Sequence, residues 1–458
     1  MTRFLTILHN CVWGVPMLVL ILGTGIRLTV KSRFAQFRLF PLSVRKLIQS
    51  LKTEEGNQES TSSFRALCTA LGATVGTGNL AGVAGAIAIG GPGAVFWMWI
   101  SALLGMIVKM AESTLAVYYR NKGDAGEAVG GPMYVIRNGL PAGWEPLAKI
   151  YCLLGILASF GVGNATQINT LISSVQSAAA FGGWSLSLRG RVFLACVLAC
   201  MVVYILRNGP GSIGRTAELL IPATSILYLL LGVIVIAVNY ERIPSVFCTI
   251  LKGAVSPRAM TGGVVGSVFL TVRVGVSRGV FSNEAGIGTA AIAHASAEVS
   301  HPVEQGLMGI LEVFLDTIVI CTMTALVILC SGIDIPFGKD TGMLLTNQAF
   351  SAVLGNWTSV PISICLFCFV FATITGWGLY GIRCVEYVFG SRACSRFVLL
   401  EGVFTLVGAL LETDRIWMLA ETINGLMAIP NLIAINLLYK QFCILVRQFS
   451  REKDALRG

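Results

Sequence analysis

The stretch "GTGNLAGVAGAIAIGGPG" at residues 76–93 is apolar enough for a membrane core, yet it contains seven glycines, a threonine and an asparagine. Gly76 and Gly78 allow the backbone to leave helical geometry and approach a ligand, while Thr77 and Asn79 supply short hydrogen-bonding groups. The ends of a broken helix present N–H groups to an anion and carbonyls to a cation. The stretch therefore predicts a discontinuous membrane helix with a binding site at residues 76–79, and the later glycines are interpreted as packing residues.

The whole chain has the composition of a polytopic membrane protein. Of its 458 residues, 55% are hydrophobic and only 12% are charged, and the mean hydropathy is +0.77. A helix needs about 20 residues to cross the hydrocarbon core. Eleven apolar runs meet this need, and because they are continuous rather than alternating, they predict helices and not a barrel. The predicted spans are 11–30, 66–89, 93–119, 147–180, 191–207, 217–239, 262–296, 303–331, 359–389, 395–411 and 416–446.

The net charge of +10 does not point to nucleic acid, because the basic residues concentrate in alternate loops. Seven lie in residues 31–65, four in 120–149 and four beyond 446. The positive-inside rule makes these segments cytoplasmic, so the N-terminus is expected outside and the C-terminus inside a cell inner membrane. The first apolar run follows a charge but has no signal-peptidase-like site, and is expected to remain as a transmembrane helix.

A second segment, "RVGVSRGVFSNEAGIGTAA" at residues 273–291, also puts glycines and polar side chains at membrane depth. With the first helix set aside, the two unusual segments open the first and sixth of ten spans. Because five is an odd number, the second block enters the membrane from the opposite side. This pattern indicates one transporter domain in which residues 66–239 and 262–446 form inverted repeats, followed by a tail at 447–458.

Two further spans carry candidate pocket residues. Gln167 lies on a largely polar helical face with Asn164 and Ser174, where a ligand contact and an interhelical hydrogen bond are equally good interpretations. Trp377 lies in the middle of its span rather than at an end, which favours a pocket wall. Thr373, four residues earlier, offers a hydroxyl.

Charges within the spans are costly and need partners. Lys109 and Glu112 are three residues apart and are expected to pair. Arg278, Glu284 and Asp316 are candidates for gating or coupling charges, with structural pairing equally possible. The sequence shows no convincing catalytic triad, catalytic carboxylate pair or metal-ligand cluster, so we expect neither an enzyme nor a cofactor.

Four stretches carry a family resemblance: residues 76–99, "GGPMYVI" at 130–136, "RGVFSNEAGIGTAAIAHA" at 278–295 and "NGLMAIPNLIA" at 424–434. In these stretches the chain resembles the alanine or glycine:cation symporters, the sodium:alanine symporters of the amino acid–polyamine–cation superfamily. The resemblance covers essentially the whole chain. It implies a five-plus-five inverted-repeat fold of the LeuT type with two discontinuous helices and one extra N-terminal helix. It also implies import of alanine or glycine together with sodium.

The resemblance also implies the site residues. The stretch 279–283 would form the second break, and a sodium ion would lie between carbonyls near Ala73 and Gly76 and the hydroxyl of Thr373. The implied substrate-binding residues are Thr77, Gly78, Asn79, Gln167, Gly279, Phe281, Ser282, Asn283 and Trp377.

One departure from the family pattern concerns the ion. The family usually has a serine before the threonine, whereas Ala372 offers no side-chain oxygen. Sodium affinity depends on the number of oxygen ligands, so the sequence also allows a proton-coupled variant that uses Asp316 or Glu284. It further allows a transporter of the same fold for another small solute, or a non-transporting amino acid sensor. A sensor is expected to carry a soluble output domain, and the longest loops are too short for one.

Overall fold

The computed structural model describes residues 2–52, 58–123, 126–181, 183, 185, 187–339, 342–410 and 413–455. The described chain is helical apart from one two-stranded antiparallel hairpin, β1 (Asn121–Lys122) with β2 (Ala128–Val129). The first half contains α1 (Thr2–Val12), α2 (Val15–Lys31), α3 (Ala35–Arg38), α4 (Phe40–Lys52), α5 (Gln58–Thr74), α6 (Val83–Gly90), α7 (Ala94–Tyr118), α8 (Pro132–Gly139), α9 (Glu145–Phe160), α10 (Thr166–Phe181), α11 (Leu188–Arg207) and α12 (Pro210–Val238). The second half contains α13 (Ile243–Val255), α14 (Pro257–Met260), α15 (Val268–Asn283), α16 (Ala290–His294), α17 (Pro302–Val313), α18 (Thr322–Ser331), α19 (Met343–Leu354), α20 (Ser359–Phe389), α21 (Cys394–Gly408) and α22 (Thr413–Ala455).

Shorter helical turns join several of these helices. Three of them have the wider π-helical geometry: Gly78–Gly82, Gly161–Ala165 and Phe314–Cys321. Four are 3₁₀ turns: Ala142–Trp144, Tyr240–Arg242, Asn356–Thr358 and Ser391–Ala393. The π turns are continuous with the helices on both sides or, at Gly78–Gly82, with α6, so each of them lies within a membrane span.

The predicted all-α polytopic architecture is confirmed. Within the described residues, eight helical stretches are long and apolar enough to cross a membrane, and a ninth is the bent pair 62–74 and 78–90. The remaining two predicted spans coincide with α15, at 16 residues, and α21, at 15 residues. Both are shorter than an ordinary span, and α15 is short because the membrane segment breaks after Asn283.

Two helices lie where the sequence suggested loops. The α13 backbone packs so closely on the start of α7 that a Cβ on Gly93 would lie 2.1 Å from the Gly253 carbonyl carbon. In α19, the Thr346 hydroxyl donates to the Leu80 carbonyl at 3.0 Å, next to the first break. The packing interpretation of Gly93 therefore fits the structure. Gly91 differs, because it ends α6 at a φ of 75°, which only glycine adopts without strain.

The first break lies at the predicted residues. Helix α5 ends at Thr74, and the helical axis bends by 53° before it continues from Gly78. The Gly76 amide donates to the side-chain Oδ1 of Asn79 at 2.9 Å, and the Asn79 amide donates to the Gly76 carbonyl at 3.3 Å. Asn79 therefore stabilises the break by replacing a helical acceptor with its own side chain.

The second break was predicted a few residues too early. Residues 279–283 are the last turn of α15, and the chain leaves helical geometry at 284–289. The cause is the backbone, since Glu284, Gly286 and Gly288 have φ values of 54°, 97° and 87°. Gly279 instead permits close packing, because a Cβ there would lie 2.5 Å from the Ser101 hydroxyl of α7. The prediction that 279–283 form the break is wrong.

Segments predicted to face the cytoplasm meet at one end of the bundle. The Lys46 ammonium, in the loop 31–65, lies 2.8 Å from a carboxylate oxygen of Glu304 at the start of α17. The Arg120 guanidinium, in the basic segment after α7, donates to the Ala297 carbonyl at 2.6 Å. These contacts join two segments that the positive-inside rule assigns to the cytoplasm, 31–65 and 120–149, to residues 297–304 around the start of α17.

Candidate functional site

The first break lies against the last turn of α15, directly before the second break. A Cβ on Gly78 would lie 3.3 Å from Cα of Ser282 and 3.5 Å from the ring of Phe281. The first break therefore approaches the last turn of α15 backbone to backbone. Any larger side chain at position 78 would push the two broken segments apart.

The first break releases two carbonyl oxygens toward Thr373. In an unbroken helix the Gly72 and Val75 carbonyls would accept from the amides four residues later. Those amides, of Gly76 and Asn79, have other acceptors at the break. The Gly72 and Val75 oxygens lie instead 3.1 Å and 3.4 Å from Thr373 Oγ1. Thr373 Oγ1 also lies 2.9 Å from the Phe369 carbonyl of its own helix. Oxygen atoms of α5 and α20 thus converge here, and oxygen is the ligand type that hard cations take.

The carbonyl oxygens nearest Thr373 outside its own helix belong to residues one position before those that the resemblance implied. The resemblance implied the carbonyls near Ala73 and Gly76, whereas the nearest outside α20 are those of Gly72 and Val75. Residues three apart lie on one helical face, so Gly72 and Val75 point together toward α20. Ala73 packs on Gly376, whose Cβ would lie 2.9 Å from that of Ala73. The roles of Ala73 and Gly76 as sodium ligands stay a prediction.

Gln167 reaches the first break from the neighbouring span. Its Oε1 accepts from the Thr77 amide at 3.4 Å, and its Nε2 donates to the Val162 carbonyl at 3.0 Å. The Thr77 hydroxyl is buried and has no hydrogen-bond partner among the residues that the structure describes. A Cβ on Gly76 would lie 3.1 Å from the Gln167 oxygen, so glycine is needed there. Thr77 and Gln167 therefore present an unused hydroxyl and a weakly engaged amide oxygen at the break.

Trp377 belongs to the same centre and contacts the second break. Its side chain is only 1% exposed, and its indole N–H donates to Glu284 Oε1 at 2.9 Å. The other oxygen of Glu284 accepts from the Thr289 hydroxyl across the break. Glu284 thus bridges the two sides of the second break and joins them to α20.

Asp316 connects both breaks through hydrogen-bond donors. Its Oδ1 accepts from Asn79 Nδ2 at 2.7 Å, and its Oδ2 accepts from Ser282 at 2.8 Å and from Thr317 at 2.7 Å. The carboxyl is completely buried. The three hydrogen bonds satisfy both carboxyl oxygens at this buried position. Of the three candidate coupling charges, Asp316 has the most direct contact with the first break.

Two other predicted residues lie at the end of α15, where Asn283 holds the second break and Phe281 packs beside the first. Asn283 caps the turn, because its Oδ1 accepts from the Ala285 amide at 3.0 Å while its Nδ2 donates to the Thr317 hydroxyl at 3.0 Å. Phe281 is buried and its ring lies 5.4 Å from that of Trp417 on α22.

Arg278 lies apart from Glu284 and Asp316. Its guanidinium is 2.5 Å from a carboxylate oxygen of Glu421 on α22, and both side chains are partly exposed. His9, at the N-terminal end of the first span, lies 3.8 Å from the same carboxylate. Arg278 therefore takes part in an ion pair between the extra first helix, α15 and α22, away from the central contacts.

The expected pair of Lys109 and Glu112 does not form. The Lys109 ammonium lies 3.2 Å from Glu312 Oε1, and the second oxygen of Glu312 is 2.9 Å from the His294 ring. Glu112 instead accepts from the Gly286 amide at 2.9 Å and from Asn431. The second break leaves the Gly286 amide free to donate to Glu112. Helix α17 brings Glu312 to Lys109, so each buried charge has a partner from another element.

The three π-helical turns were not foreseen. One follows the first break, one carries Asn164 just before Gln167, and one contains Asp316. A π turn inserts an extra residue in a helix and rotates the side chains around it, which is why such turns recur at binding sites. Glycines at 161 and 163 were the only sequence signal near the second of these turns.

Sequence comparison identifies the family to which this architecture belongs. The profile of the sodium:alanine symporter family matches residues 1–457. The chain belongs to the sodium:alanine symporter family. Members of this family are transporters, so the class expected from the two breaks is confirmed.

Relatives within the sodium:alanine symporter family align along nearly the full length. The sodium/alanine symporter AgcS of Methanococcus maripaludis is 40% identical over 436 residues, which cover 94% of this chain and 93% of the relative. An uncharacterised transporter of Haemophilus influenzae is 40% identical over 435 residues, which cover 94% of this chain and 92% of the relative. The amino-acid carrier protein AlsT of Bacillus subtilis is 35% identical, with 92% and 86% covered.

The fold is similar to that of a solved transporter. The crystal structure of MhsT in complex with L-phenylalanine aligns with a TM-score of 0.58 at 14% identity, covering 84% of this chain and 95% of MhsT. MhsT has the LeuT fold, so this sodium:alanine symporter family member has that fold as well. It is a multi-pass membrane protein.

Proposed function

We propose that the protein is a secondary active symporter that imports alanine or glycine together with sodium by alternating access. The observation that carries this proposal is the set of three oxygens at Thr373, two of which the first break itself releases. A cation bound there would hold α5 and α20 together. The membrane is a cell inner membrane, with the N-terminus outside and the C-terminus cytoplasmic, as the basic loops indicate.

The substrate is a small amino acid because the breaks leave little room. The Thr77 amide and hydroxyl form a donor group for a carboxylate, and Gln167 can exchange its long 3.4 Å contact for one with the substrate. The last carbonyls of α15 lie at the negative end of a helix, which suits an ammonium group. Trp377 and Phe281 bound the space for a side chain, so a methyl group or a hydrogen fits best.

Sodium is the ion that this site fits better than a proton. Both oxygens of Asp316 are already engaged, because they accept from Asn79, Ser282 and Thr317 and so hold the first break to α15. Ala372 lies beside Gly72, since a Cβ on Gly72 would be 3.5 Å from that of Ala372. The missing hydroxyl therefore lowers the number of ligands next to the released Gly72 carbonyl, and weak sodium affinity is expected.

Uptake of radiolabelled L-alanine, D-alanine and glycine into proteoliposomes, with sodium and proton gradients imposed separately, tests the proposal. Thr373→Val keeps the side-chain shape but removes one ligand oxygen. The loss of a hydrogen-bonding group next to a charge costs about 1.5–3 kcal/mol, so the half-saturating sodium concentration should rise roughly 10- to 100-fold. Ala372→Ser should lower that concentration by adding an oxygen.

Thr375→Val is the matched control. The Thr375 hydroxyl donates only within its own helix, 3.0 Å from the carbonyls of Phe371 and Ala372. Its loss should leave sodium dependence unchanged. Uptake driven by a proton gradient alone, with no effect of Thr373→Val, would replace sodium by a proton as the coupling ion. Absence of uptake for every amino acid would refute the transport function.

A further inference from the structure

Glu401 is a completely buried carboxyl group that the proposed transport mechanism does not use. It lies in the middle of α21, and no basic side chain forms an ion pair with it in the part of the chain that the structure describes. Its Oε1 lies 2.5 Å from the Ser159 hydroxyl and its Oε2 lies 2.5 Å from Asn164 Nδ2. The residues that pack nearest on this part of α21 include Val203 of α11, which is apolar.

The hydrogen bonds of Ser159 point to the state of this carboxyl. Ser159 Oγ lies 3.0 Å from the Trp377 carbonyl and 2.5 Å from Glu401 Oε1. Both partners would be acceptors if Glu401 were ionised, yet a serine hydroxyl has one hydrogen to donate. A proton on Oε1 removes the conflict, because Glu401 then donates to Ser159 and Ser159 donates to Trp377. The Asn164 amide donates to the remaining oxygen in either case.

The Glu401 carboxyl is connected by hydrogen bonds to two residues of the proposed pocket, Trp377 and Gln167. Through Ser159 it holds the backbone of Trp377. Asn164 donates to the Glu401 side chain and, at 2.9 Å, to its backbone carbonyl, and it lies within the π-helical turn Gly161–Ala165. That turn presents the Val162 carbonyl, which accepts from Gln167 Nε2. Glu401 is therefore linked to Trp377 through one intervening residue, Ser159, and to Gln167 through the turn that contains Asn164.

We propose that Glu401 carries a proton at neutral pH and acts as a positioning residue, aligning Trp377 through Ser159 and Gln167 through Asn164. This role rests on the proposed function, in which Trp377 and Gln167 face the amino acid. The proton is structural: it remains on Glu401 while the substrate and the ion bind and leave. The group is neutral, so its burial in the membrane avoids the cost of an unpaired charge.

Infrared spectroscopy of the purified, reconstituted protein tests the protonation directly. The difference spectrum between wild type and Glu401→Gln should contain the carbonyl band of a carboxylic acid, present from mildly acidic to mildly alkaline buffer. Glu304→Gln is the control, because Glu304 is paired with Lys46 and its loss should remove only carboxylate bands. Carboxylate bands in place of the acid band in the Glu401 difference spectrum would overturn the proposal. This readout does not depend on transport.

Substitutions then test the positioning role. Glu401→Gln imitates the protonated acid, since its amide donates to Ser159 and its carbonyl accepts from Asn164, and alanine uptake should stay within about twofold of wild type. Glu401→Leu breaks both links, and KM for alanine should rise roughly tenfold, with larger amino acids now accepted. Ser159→Ala should relax the size limit with a smaller effect on KM.

The Gln variant keeps the test decisive if the Leu variant does not fold. A folded Glu401→Gln protein that has lost uptake would show that the charged form is needed, and would overturn the proposal. A folded Glu401→Leu protein with wild-type KM and size selectivity would refute the positioning role. If wild type transports none of the amino acids, the proposed function fails, while the infrared result still decides the protonation of Glu401.

Discussion

Exchange of the two partners at the Asn79–Asp316 contact should separate the effect of charge from that of shape. In Asn79→Asp, the new carboxylate can still accept from the Gly76 amide, so the break is retained. In the wild type Asn79 Nδ2 donates to Asp316 Oδ1 at 2.7 Å, and in the variant a negatively charged oxygen takes the place of that donor. The single variant therefore places two carboxylates face to face in a buried site.

The magnitude follows from two competing costs. Two unit charges at 2.7 Å repel each other by about 6 kcal/mol at an effective dielectric constant near 20. Protonation of one ordinary aspartic acid at pH 7 costs about 4 kcal/mol, which is less, so the pair takes up a proton. The variant therefore pays this protonation cost, which falls by about 1.4 kcal/mol for each pH unit of acidification. Its alanine uptake rate should drop roughly 100- to 1,000-fold at neutral pH and recover part of that loss in acidic buffer.

The double variant Asn79→Asp, Asp316→Asn should restore uptake. The amide at 316 then donates to the carboxylate at 79, and its oxygen still accepts from the Ser282 and Thr317 hydroxyls, so each hydrogen bond has a replacement. Uptake into proteoliposomes at several pH values is the assay. If the double variant is folded but no more active than Asn79→Asp, the contact between the first break and Asp316 does not control transport.

Four other substitutions probe the packing and the pocket. Gly163→Ala would place a Cβ 2.3 Å from that of Trp377, and should lower both the melting temperature and alanine affinity, with a cost of about 1–3 kcal/mol. Gly78→Val should abolish uptake by the folded protein, whereas Gly82→Ala, where the nearest atom is 4.0 Å away, should retain it. Gln167→Ala should weaken alanine binding in a direct binding assay by about 1–3 kcal/mol while leaving the protein folded.

The sequence was sufficient for the spans and for the first break because both depend on local properties. Apolar runs report span length directly, and "GTGN" at residues 76–79 combines backbone freedom with a side chain that replaces a helical acceptor. The second break was predicted at the wrong residues because a glycine can serve either close packing or an unusual backbone conformation. Gly279 serves packing and Gly286 serves a positive φ, and only the neighbouring helix distinguishes them.

The partners of the buried charges could not be predicted for a different reason. Lys109 and Glu112 have the spacing of a helical pair, and that spacing is all that a single helix shows. The structure brings Glu312 to Lys109 and the amide of Gly286 to Glu112, both from distant parts of the chain. Glu401 was overlooked because its partners, in α9 and the π turn, are about 240 residues away.

The polar contacts divide the centre of the protein into two groups of helices. Hydrogen bonds of Asp316 unite the first break with α15 and the turn Phe314–Cys321. Those of Glu401 and Ser159 unite α21 with α9, with α20 and with the turn Gly161–Ala165 that leads into α10. At the breaks, contacts of three residues cross between the groups: Thr373 with the released carbonyls, Gln167 with the Thr77 amide, and Trp377 with Glu284. Each of these contacts lies where the ion or the amino acid is proposed to bind. Alternating access requires the two groups of helices to move relative to each other. Because the contacts between the groups involve the same atoms as the proposed site, binding of the ion or the amino acid should change how strongly the groups are held together.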